Sequence, residues 1–245
     1  MKEKIRRYIR TNANEDDRQL WLAKTLAAIP TGLRILDAGA GELRNKPLCA
    51  HLKYISQDIC EYDGNGDKQG LHTGMWDTSR IDLVCDIVEI PEPESSFDVI
   101  LCSEVFEHLP DALKALDEFF RLLKPAGKLI ITAPFSSLVH FAPFHYATGF
   151  SKYWYEYHLP LRNFEIKELT PNGDWFSYVR QEIFRLPGMA RKFGDRWWPL
   201  AYFLAGVAVI YFSLRDKSKR SDDTACFGWH CVAQKKGGVR CFSPS

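Results

Sequence analysis

Five short apolar segments, separated by helix-like or turn-rich stretches, restrict the fold of this chain more than any other sequence feature. They are rich in leucine and β-branched residues, and they are Leu33–Ala38, Lys53–Asp58, Ile81–Asp86, Phe97–Cys102 and Lys128–Ala133. Residues 111–123, ahead of the fifth segment, carry leucine and phenylalanine at helical spacing, and residues 16–29 and 43–51 are also predicted to be helical. Residues 63–79 are predicted to form a polar loop that contains glycine. Strands that alternate with helices form βαβ units, in which the strands pair in parallel. The sequence therefore predicts an α/β fold with a mostly parallel sheet.

Acidic and small residues follow four of these strands, where ligands bind in open parallel sheets. They are Asp37 with Gly39 and Gly41 after the first strand, Asp58 after the second, Asp86 after the third, and Ser103 with Glu104 after the fourth. Glycine lacks a Cβ, so the backbone can turn sharply and a ligand can approach it closely. Asp58 lies 17 residues beyond Gly41, about where an acid accepts hydrogen bonds from ribose hydroxyls. The pattern favours a nucleotide-like ligand.

Two common nucleotide sites do not fit the first loop. A dinucleotide turn of the type G-x-G-x-x-G needs glycine at position 44, which is Arg44, and the chain has no G-K-[ST] phosphate loop. The loop instead begins with the carboxylate of Asp37, which would repel phosphate and suits a cation. A dinucleotide-dependent oxidoreductase is therefore a disfavoured alternative.

Four motifs in order resemble those of the class I S-adenosylmethionine-dependent methyltransferases. Residues 35–42 (ILDAGAGE) resemble the first motif of that family. Residues 86–91 with 95–100 are similar to the adenine-binding and fourth-strand motifs of its type 11 group, and residues 104–109 and 123–129 complete the set. The resemblance covers about residues 30–134. It implies a Rossmann-like, mostly parallel sheet of seven strands, of which the last is antiparallel.

The resemblance also implies S-adenosyl-L-methionine as the cofactor and a role for each strand end. The Gly39–Gly41 turn would pass under the carboxypropyl and ribose groups, Asp37 would lie near the amino-acid end, and Asp58 would hold the ribose hydroxyls. Asp86 and the Ile87 backbone would meet the adenine, and Ser103 with Glu104 would lie near the methionine end. The full set of expected contacts is Asp37, Gly39, Ala40, Gly41, Asp58, Ile59, Asp86, Ile87, Ser103 and Glu104. The chain departs from the family at Leu43, where a glycine is frequent.

Methyl transfer is an in-line displacement that needs mainly positioning, and a general base only when the acceptor is protonated. His145 is the first candidate for that base and His108 the second, with His140 and His158 also considered. A structural histidine is the competing interpretation at each position. The seven cysteines include no C-x-x-C pair and no His/Cys cluster at zinc spacing, so we expect no metal site.

Beyond the motifs, we interpret the chain as one domain of residues 1–245 with four parts. They are an N-terminal helical cap (1–30), a cofactor-binding core (31–134), an aromatic insertion that forms an acceptor lid (135–160), and a C-terminal part (161–234) with an apolar helix (197–214) and the last strand (224–234). At about 1.5 Å per residue, the apolar helix is about 27 Å long and marginal for a membrane span. The last strand must return to the sheet, which argues against a crossing. A second subunit, a membrane surface or the lid would cover this helix.

Charge and composition restrict the partners. The chain has 32 basic and 31 acidic residues, which argues against nucleic acid as a partner because such binders need a basic face. The first residues are basic without an apolar run, so we expect a cytoplasmic protein, with peripheral membrane contact as an option. The expected acceptor is a small or lipid- or sugar-linked molecule, methylated at oxygen, with nitrogen left open. A module that binds the cofactor without transferring a methyl group is the rival function.

Overall fold

The computed structural model describes residues 13–215 and 221–237. These residues form two compact units. Of the described residues, the larger unit contains 20–170 and 228–237, and the smaller contains 13–19, 171–215 and 221–227.

The central element is a seven-stranded sheet with the strand order β3-β2-β1-β4-β5-β7-β6. The strands are β1 (Arg34–Ala38), β2 (Lys53–Asp58), β3 (Leu83–Val84), β4 (Phe97–Ser103), β5 (Leu123–Pro134), β6 (Phe164–Asn172) and β7 (Gly228–Lys235). The helices are α1 (Ala13–Ala27), α2 (Ala112–Leu122), α3 (Lys152–Leu161), α4 (Trp175–Lys192) and α5 (Trp198–Arg215).

Strand pairing confirms the predicted fold class. β1 pairs in parallel with both β2 and β4, β2 with β3, and β4 with β5, whereas β7 runs antiparallel to β5. The chain order reverses between β1 and β4, so the carboxyl ends of these two strands flank the crevice in which such sheets bind ligands.

The core explains why the central strands are apolar throughout. Ile35 on β1, Leu101 on β4 and Ile130 on β5 are fully buried, as expected for parallel strands that are covered on both faces. Leu22 and Leu26 of α1 belong to the same apolar cluster. The helix spacing that predicted α1 therefore reflects its packing on the sheet.

Three predicted elements differ from the structure. The third strand covers only Leu83–Val84, because the Asp82 carboxylate accepts hydrogen bonds from the backbone N–H (2.9 Å) and the hydroxyl (2.6 Å) of Ser56. The helical stretch expected at 43–51 is a 3₁₀ turn, Lys46–Cys49. β5 begins at Leu123, and a shift in register between Phe97 and Val99 of β4 accommodates the turn residues 125–127.

Smaller shifts affect the two ends of the chain. The helix expected at 16–29 is Ala13–Ala27, and the strand expected at 224–234 is Gly228–Lys235. β6 and α4 had no individual prediction. Among the described cysteines, Cys49, Cys102 and Cys231 are buried free thiols and Cys226 is also buried, and Cys241 lies outside the described residues.

The predicted apolar helix is α5, in the smaller unit. The ring of its Phe212 lies 6.2 Å from the rings of Trp175 and Phe176 of α4. Its large exposed side chains are Leu200, Tyr202, Phe203, Leu204, Val207, Ile210 and Tyr211. Of the helices described here, none combines the length and apolarity that a membrane crossing requires. What covers this face stays a prediction.

A buried carboxylate on α2 holds the loop between β3 and β4. Glu118 is 8% exposed and accepts hydrogen bonds from the Ile90 N–H (2.8 Å) and the Arg121 guanidinium (2.6 and 2.7 Å). Arg121 also donates to the carbonyls of Ile90 and Glu92. Two side chains of one helix thereby satisfy three backbone groups of the loop.

We expect Glu118→Ala to lower the free energy of unfolding by about 2–4 kcal/mol, because it leaves the Ile90 N–H and the Arg121 charge without their partner. Asp117→Ala on the same helix is the matched control. The Asp117 side chain is 41% exposed and pairs with Arg162 at 3.0 Å, and a carboxylate that reaches solvent in this way contributes about 0–1 kcal/mol. Urea unfolding measures both, and equal losses would contradict the assignment of Glu118 as the anchor.

Candidate functional site

The turn that follows β1 is tied to the carboxyl end of β2. The N–H groups of Gly39 and Ala40 both donate to the Gln57 carbonyl at 2.9 Å. The Gly41 N–H donates to Oδ2 of Asp58, also at 2.9 Å. The hydrogen bonds bring together the glycine turn and the acid that the sequence places 17 residues apart.

Both glycines are required by their backbone conformation and by their neighbours. Gly39 has a φ of +74° and Gly41 a φ of +51°, which L-residues rarely adopt. A Cβ on Gly39 would lie 2.5 Å from a methyl carbon of Val105, and one on Gly41 would lie 2.6 Å from the ring of Trp76. The turn therefore has no room for side chains.

Asp58 and Asp86 are brought close by the pairing of β2 with β3. The half-buried Asp58 carboxylate accepts from the N–H groups of Gly41 and Cys60, each at 2.9 Å. These bonds orient the group and leave lone pairs for further donors, since a carboxylate accepts about four hydrogen bonds. The exposed Asp86 accepts from the Val88 N–H at 3.1 Å, and the neighbouring Ile87 is buried.

A hydroxyl network orders the end of β4. The Thr132 hydroxyl donates to the Glu104 carboxylate at 3.0 Å, so the Ser103 hydroxyl is left to donate to Thr132 at 2.8 Å. The Glu104 N–H donates to the Thr132 carbonyl at 2.8 Å, and Glu104 has a φ of +56°. Thr132 was absent from the predicted site, because its part in the network depends on the pairing of β4 with β5.

Asp37 is enclosed by protein. Its side chain is 1% exposed and accepts the Tyr54 hydroxyl at 2.7 Å. Burial raises the pKa of Asp37 to about 6, although hydrogen bonds from Tyr54 and Asn45 oppose the change. The contacts seen here support the turn, and its role beside the amino-acid end of the cofactor stays a prediction.

Two loops meet over this edge of the sheet. The loop after β2 and the segment after β5 exchange backbone hydrogen bonds, from Leu71 N–H to the Val139 carbonyl (3.0 Å) and from Phe141 N–H to the Leu71 carbonyl (3.1 Å). The Phe141 ring lies 5.1 Å from Trp76 and 4.5 Å from Tyr62. The polar loop predicted at 63–79 contains one isolated tryptophan, Trp76, which packs on Gly41. This tryptophan is the signal in the sequence that the loop belongs to the site.

Three of the four candidate histidines come together. Ligand nitrogens of His108, His140 and His145 all lie within 4.8 Å of one another. Burial, and next the neighbouring His140, lower the pKa of His108 to about 4, and burial also lowers the pKa of His145. His158 stands apart on α3, with its ring 5.1 Å from Trp154. An imidazole with a pKa of about 4 is a weak general base at neutral pH.

The predicted cofactor contacts thus lie at four adjacent strand ends, because β3, β2, β1 and β4 are consecutive in the sheet. Ala40 is buried within the turn and Ile59 is 45% exposed after β2. The individual role of each of these residues toward a cofactor stays a prediction.

Comparison with known proteins gives a family match. Residues 4–185, well over half of the chain, match the family model described as a methyltransferase domain. The ubiquinone biosynthesis O-methyltransferase of Xylella fastidiosa (strain M23) is 33% identical over 106 residues, which cover 42% of each chain. A demethylmenaquinone methyltransferase of Clavibacter sepedonicus is 30% identical over 131 residues, 51% of this chain and 52% of the relative. This chain therefore matches about half the length of these curated relatives or less.

Solved structures share the fold. The [4+2]-cyclase SpnF superposes with a TM-score of 0.55 at 18% identity, covering 91% of this chain and 81% of the cyclase. Phosphoethanolamine N-methyltransferase 2 of Haemonchus contortus, solved with S-adenosyl-L-methionine, superposes with a TM-score of 0.51 at 20% identity, covering 89% and 52%. At these identities the likeness concerns the fold alone, and one fold supports several chemistries.

The family model, the order of the strands and the glycine turn beside Asp58 agree with one another. The finer type 11 grouping stays a prediction. The chain belongs to the methyltransferase domain family.

Proposed function

We propose that this enzyme transfers a methyl group from S-adenosyl-L-methionine to an oxygen of a small-molecule acceptor. The observation that carries the proposal is the hydrogen bond from Gly41 N–H to Asp58. It joins the glycine turn to an oriented carboxylate at the crevice of the sheet, where a ligand with ribose hydroxyls fits.

The residues at this edge fit the cofactor. The glycines keep side chains out of the turn, so a ligand can approach its backbone. Asp58 retains lone pairs for ribose hydroxyls, and Glu104 adds a carboxylate that favours a cationic ligand. When bound, S-adenosyl-L-methionine supplies a methyl group activated by its sulfonium.

The chain's own contribution is to position the acceptor and exclude water. Phe141 and Trp76 lie in edge contact at 5.1 Å between the glycine turn and the histidines. Aromatic groups at that place can cover the reacting groups, and dry, aligned reactants need little further catalysis. The insertion at 135–160 supplies Phe141 and His145, in keeping with its predicted role as an acceptor lid.

Oxygen is the proposed target because the first relative named above is an O-methyltransferase. Transfer to a hydroxyl requires loss of a proton. Of the two candidate bases, His145 is favoured, since the pKa of His108, about 4, lies far below neutrality. The predicted lipid- or sugar-linked acceptors remain within this proposal.

Isothermal titration with S-adenosyl-L-methionine, S-adenosylhomocysteine and NAD tests the cofactor site. We expect both sulfur ligands to bind and NAD not to bind. In Asp58→Asn, affinity for both should fall at least about tenfold, because a charged acceptor of ribose hydroxyls is lost.

Asp82→Asn is the matched control for that titration. Asp82 also accepts two short hydrogen bonds, from the N–H and hydroxyl of Ser56, but it precedes β3 and lies away from the carboxyl ends. Its affinity for both ligands should match that of the unmodified enzyme. Equal affinity in Asp58→Asn, or an equal loss in Asp82→Asn, would overturn the assignment of the cofactor site.

A further inference from the structure

A cluster of histidines forms where two segments meet after β4 and β5. The 3₁₀ turn Phe106–His108 follows β4, and the carbonyl of its Glu107 accepts hydrogen bonds from the N–H groups of Tyr146 (2.8 Å) and Ala147 (3.1 Å). The ring of His108 lies 4.6 Å from that of His140 and 5.9 Å from that of His145. Backbone hydrogen bonds thus hold the three imidazoles together.

The hydrogen bonds of two rings determine which nitrogens carry lone pairs. His108 Nδ1 bonds to the Phe144 carbonyl, and His140 Nδ1 bonds to the Leu138 carbonyl at 2.8 Å. A carbonyl can only accept, so both Nδ1 atoms carry the proton and both Nε2 atoms carry a lone pair. A histidine that binds a metal is typically oriented in this way, with its second N–H donated to a backbone carbonyl.

Three other ring nitrogens of the cluster are buried without a hydrogen-bond partner. His108 Nε2 and both ring nitrogens of His145 have no hydrogen-bond partner among residues 13–215 and 221–237. A buried polar atom without a partner costs about 1–3 kcal/mol, and such groups are few in native proteins. A bound cation would accept the lone pair of His108 Nε2 and the one lone pair of a neutral His145.

The spacing suits a small ion. The three ligand nitrogens lie within 4.8 Å of one another, so an ion can be placed no farther than about 2.8 Å from each of them. Zn–N bonds are about 2.0–2.1 Å long. Closure around an ion therefore needs each nitrogen to move by about 0.7 Å, which side-chain rotation can supply.

A buried carboxylate adds negative charge to the cluster. Glu107 is 1% exposed, and its Oε1 lies 3.7 Å from His108 Nε2 and 3.9 Å from His140 Nε2. A buried carboxylate is stabilised by a nearby cation. Neutral imidazoles carry no positive charge that could stabilise the Glu107 carboxylate.

We propose that His108, His140 and His145 bind one divalent transition-metal ion of the zinc type, with Glu107 as its charge partner. Imidazole ligands favour Zn²⁺ and its transition-metal neighbours over Mg²⁺ and Ca²⁺, which prefer oxygen. Three protein ligands leave a fourth position for water or an oxygen of a substrate. With the ion bound, His145 gives its lone pair to the metal and no longer serves as the general base of the proposed function. The ring of His108 lies 5.1 Å from Phe141, so the ion lies on the same aromatic lid as the proposed acceptor.

The test uses the untagged full-length chain after removal of metals with a chelator. Titration with Zn²⁺ should show one equivalent bound per chain, and Co²⁺ should bind at the same place with visible absorption bands that Zn²⁺ abolishes. His140→Ala and His145→Gln should each lower Zn²⁺ affinity by about a hundredfold, because each removes one of three ligands. Mg²⁺ should not compete.

His158→Ala is the matched control, since His158 belongs to the same insertion but stacks on Trp154 outside the cluster. Its affinity for Zn²⁺ should be unchanged. Circular dichroism and urea unfolding identify any variant that fails to fold, and His145→Gln keeps a polar side chain of similar size. No Zn²⁺ binding by the unmodified chain, or undiminished binding by both folded variants, would overturn the proposal. Zn²⁺ is titrated without S-adenosyl-L-methionine, so this result is independent of the cofactor site.

Discussion

Gly39→Ala is expected to lower the free energy of unfolding by about 2–5 kcal/mol and to abolish binding of S-adenosyl-L-methionine. An L-residue at a φ of +74° costs about 1–2 kcal/mol. The added Cβ would also lie 2.5 Å from a Val105 methyl carbon, and overpacking adds about 1–3 kcal/mol. Relief of that contact must shift the turn that carries the proposed cofactor site. Urea unfolding and calorimetric titration measure the two effects.

Gly32→Ala separates backbone strain from crowding. Gly32 has a φ of +83°, but nothing lies within 4 Å of its added Cβ, so only about 1–2 kcal/mol should be lost and cofactor binding should persist. Adding Val105→Ala to Gly39→Ala should recover part of the lost stability, because it removes the nearest methyl carbons. Equal losses in the two single variants, without recovery in the double variant, would show that crowding by Val105 does not matter.

Asp37→Asn is expected to change how stability depends on pH. Burial raises the pKa of Asp37 from 3.8 to about 6, so the folded state holds this proton more tightly than the unfolded state. Stability from this group is therefore full below about pH 4 and is lost as pH rises to about 6, by about 3 kcal/mol in total. Asparagine keeps an acceptor for the Tyr54 hydroxyl and removes the titration.

Urea unfolding of both proteins from pH 4 to pH 7 measures this effect. The stability of the Asn variant relative to the unmodified enzyme should rise by about 3 kcal/mol over that interval. Parallel profiles would contradict a raised pKa of Asp37.

Asp98→Asn provides a control of opposite sign. Burial alone would raise the pKa of Asp98, but hydrogen bonds from Lys124 (2.7 Å) and the Arg34 N–H (2.9 Å) outweigh it, so the pKa is lowered. Stability from Asp98 is present above its unfolded pKa and is lost as pH falls. The free energy of unfolding of Asp98→Asn, relative to that of the unmodified enzyme, should therefore fall as pH rises.

Local sequence predicted the elements whose residues interact with near neighbours in the chain. The spacing of apolar residues and the composition of each segment indicated β1, β2, β4 and α2. A strand or helix that is buried against a core must repeat apolar residues at its own spacing. β3 is shorter than predicted because Asp82 bonds to Ser56, 26 residues earlier in the chain. No local pattern reports such a contact.

The residues of the candidate site also fall into those that local sequence could reveal and those that it could not. Glycines and acids at strand ends could be found from sequence, since topology brings all carboxyl ends of parallel strands to one edge. Trp76, Thr132 and Glu107 could not, because their parts in the site depend on loops and pairings formed between distant segments.

By itself, the sequence determined the α/β class, the glycines and acids at one edge of the sheet and the methyltransferase family, because short motifs on consecutive strands carry that information. Only the tertiary structure decided that His108, His140 and His145 lie within 4.8 Å. Their spacing along the chain matches no metal motif, since two come from the segment after β5 and one from the turn after β4. The hydrogen bonds of Tyr146 and Ala147 to Glu107 bring those segments together, and such contacts exist only in the folded chain.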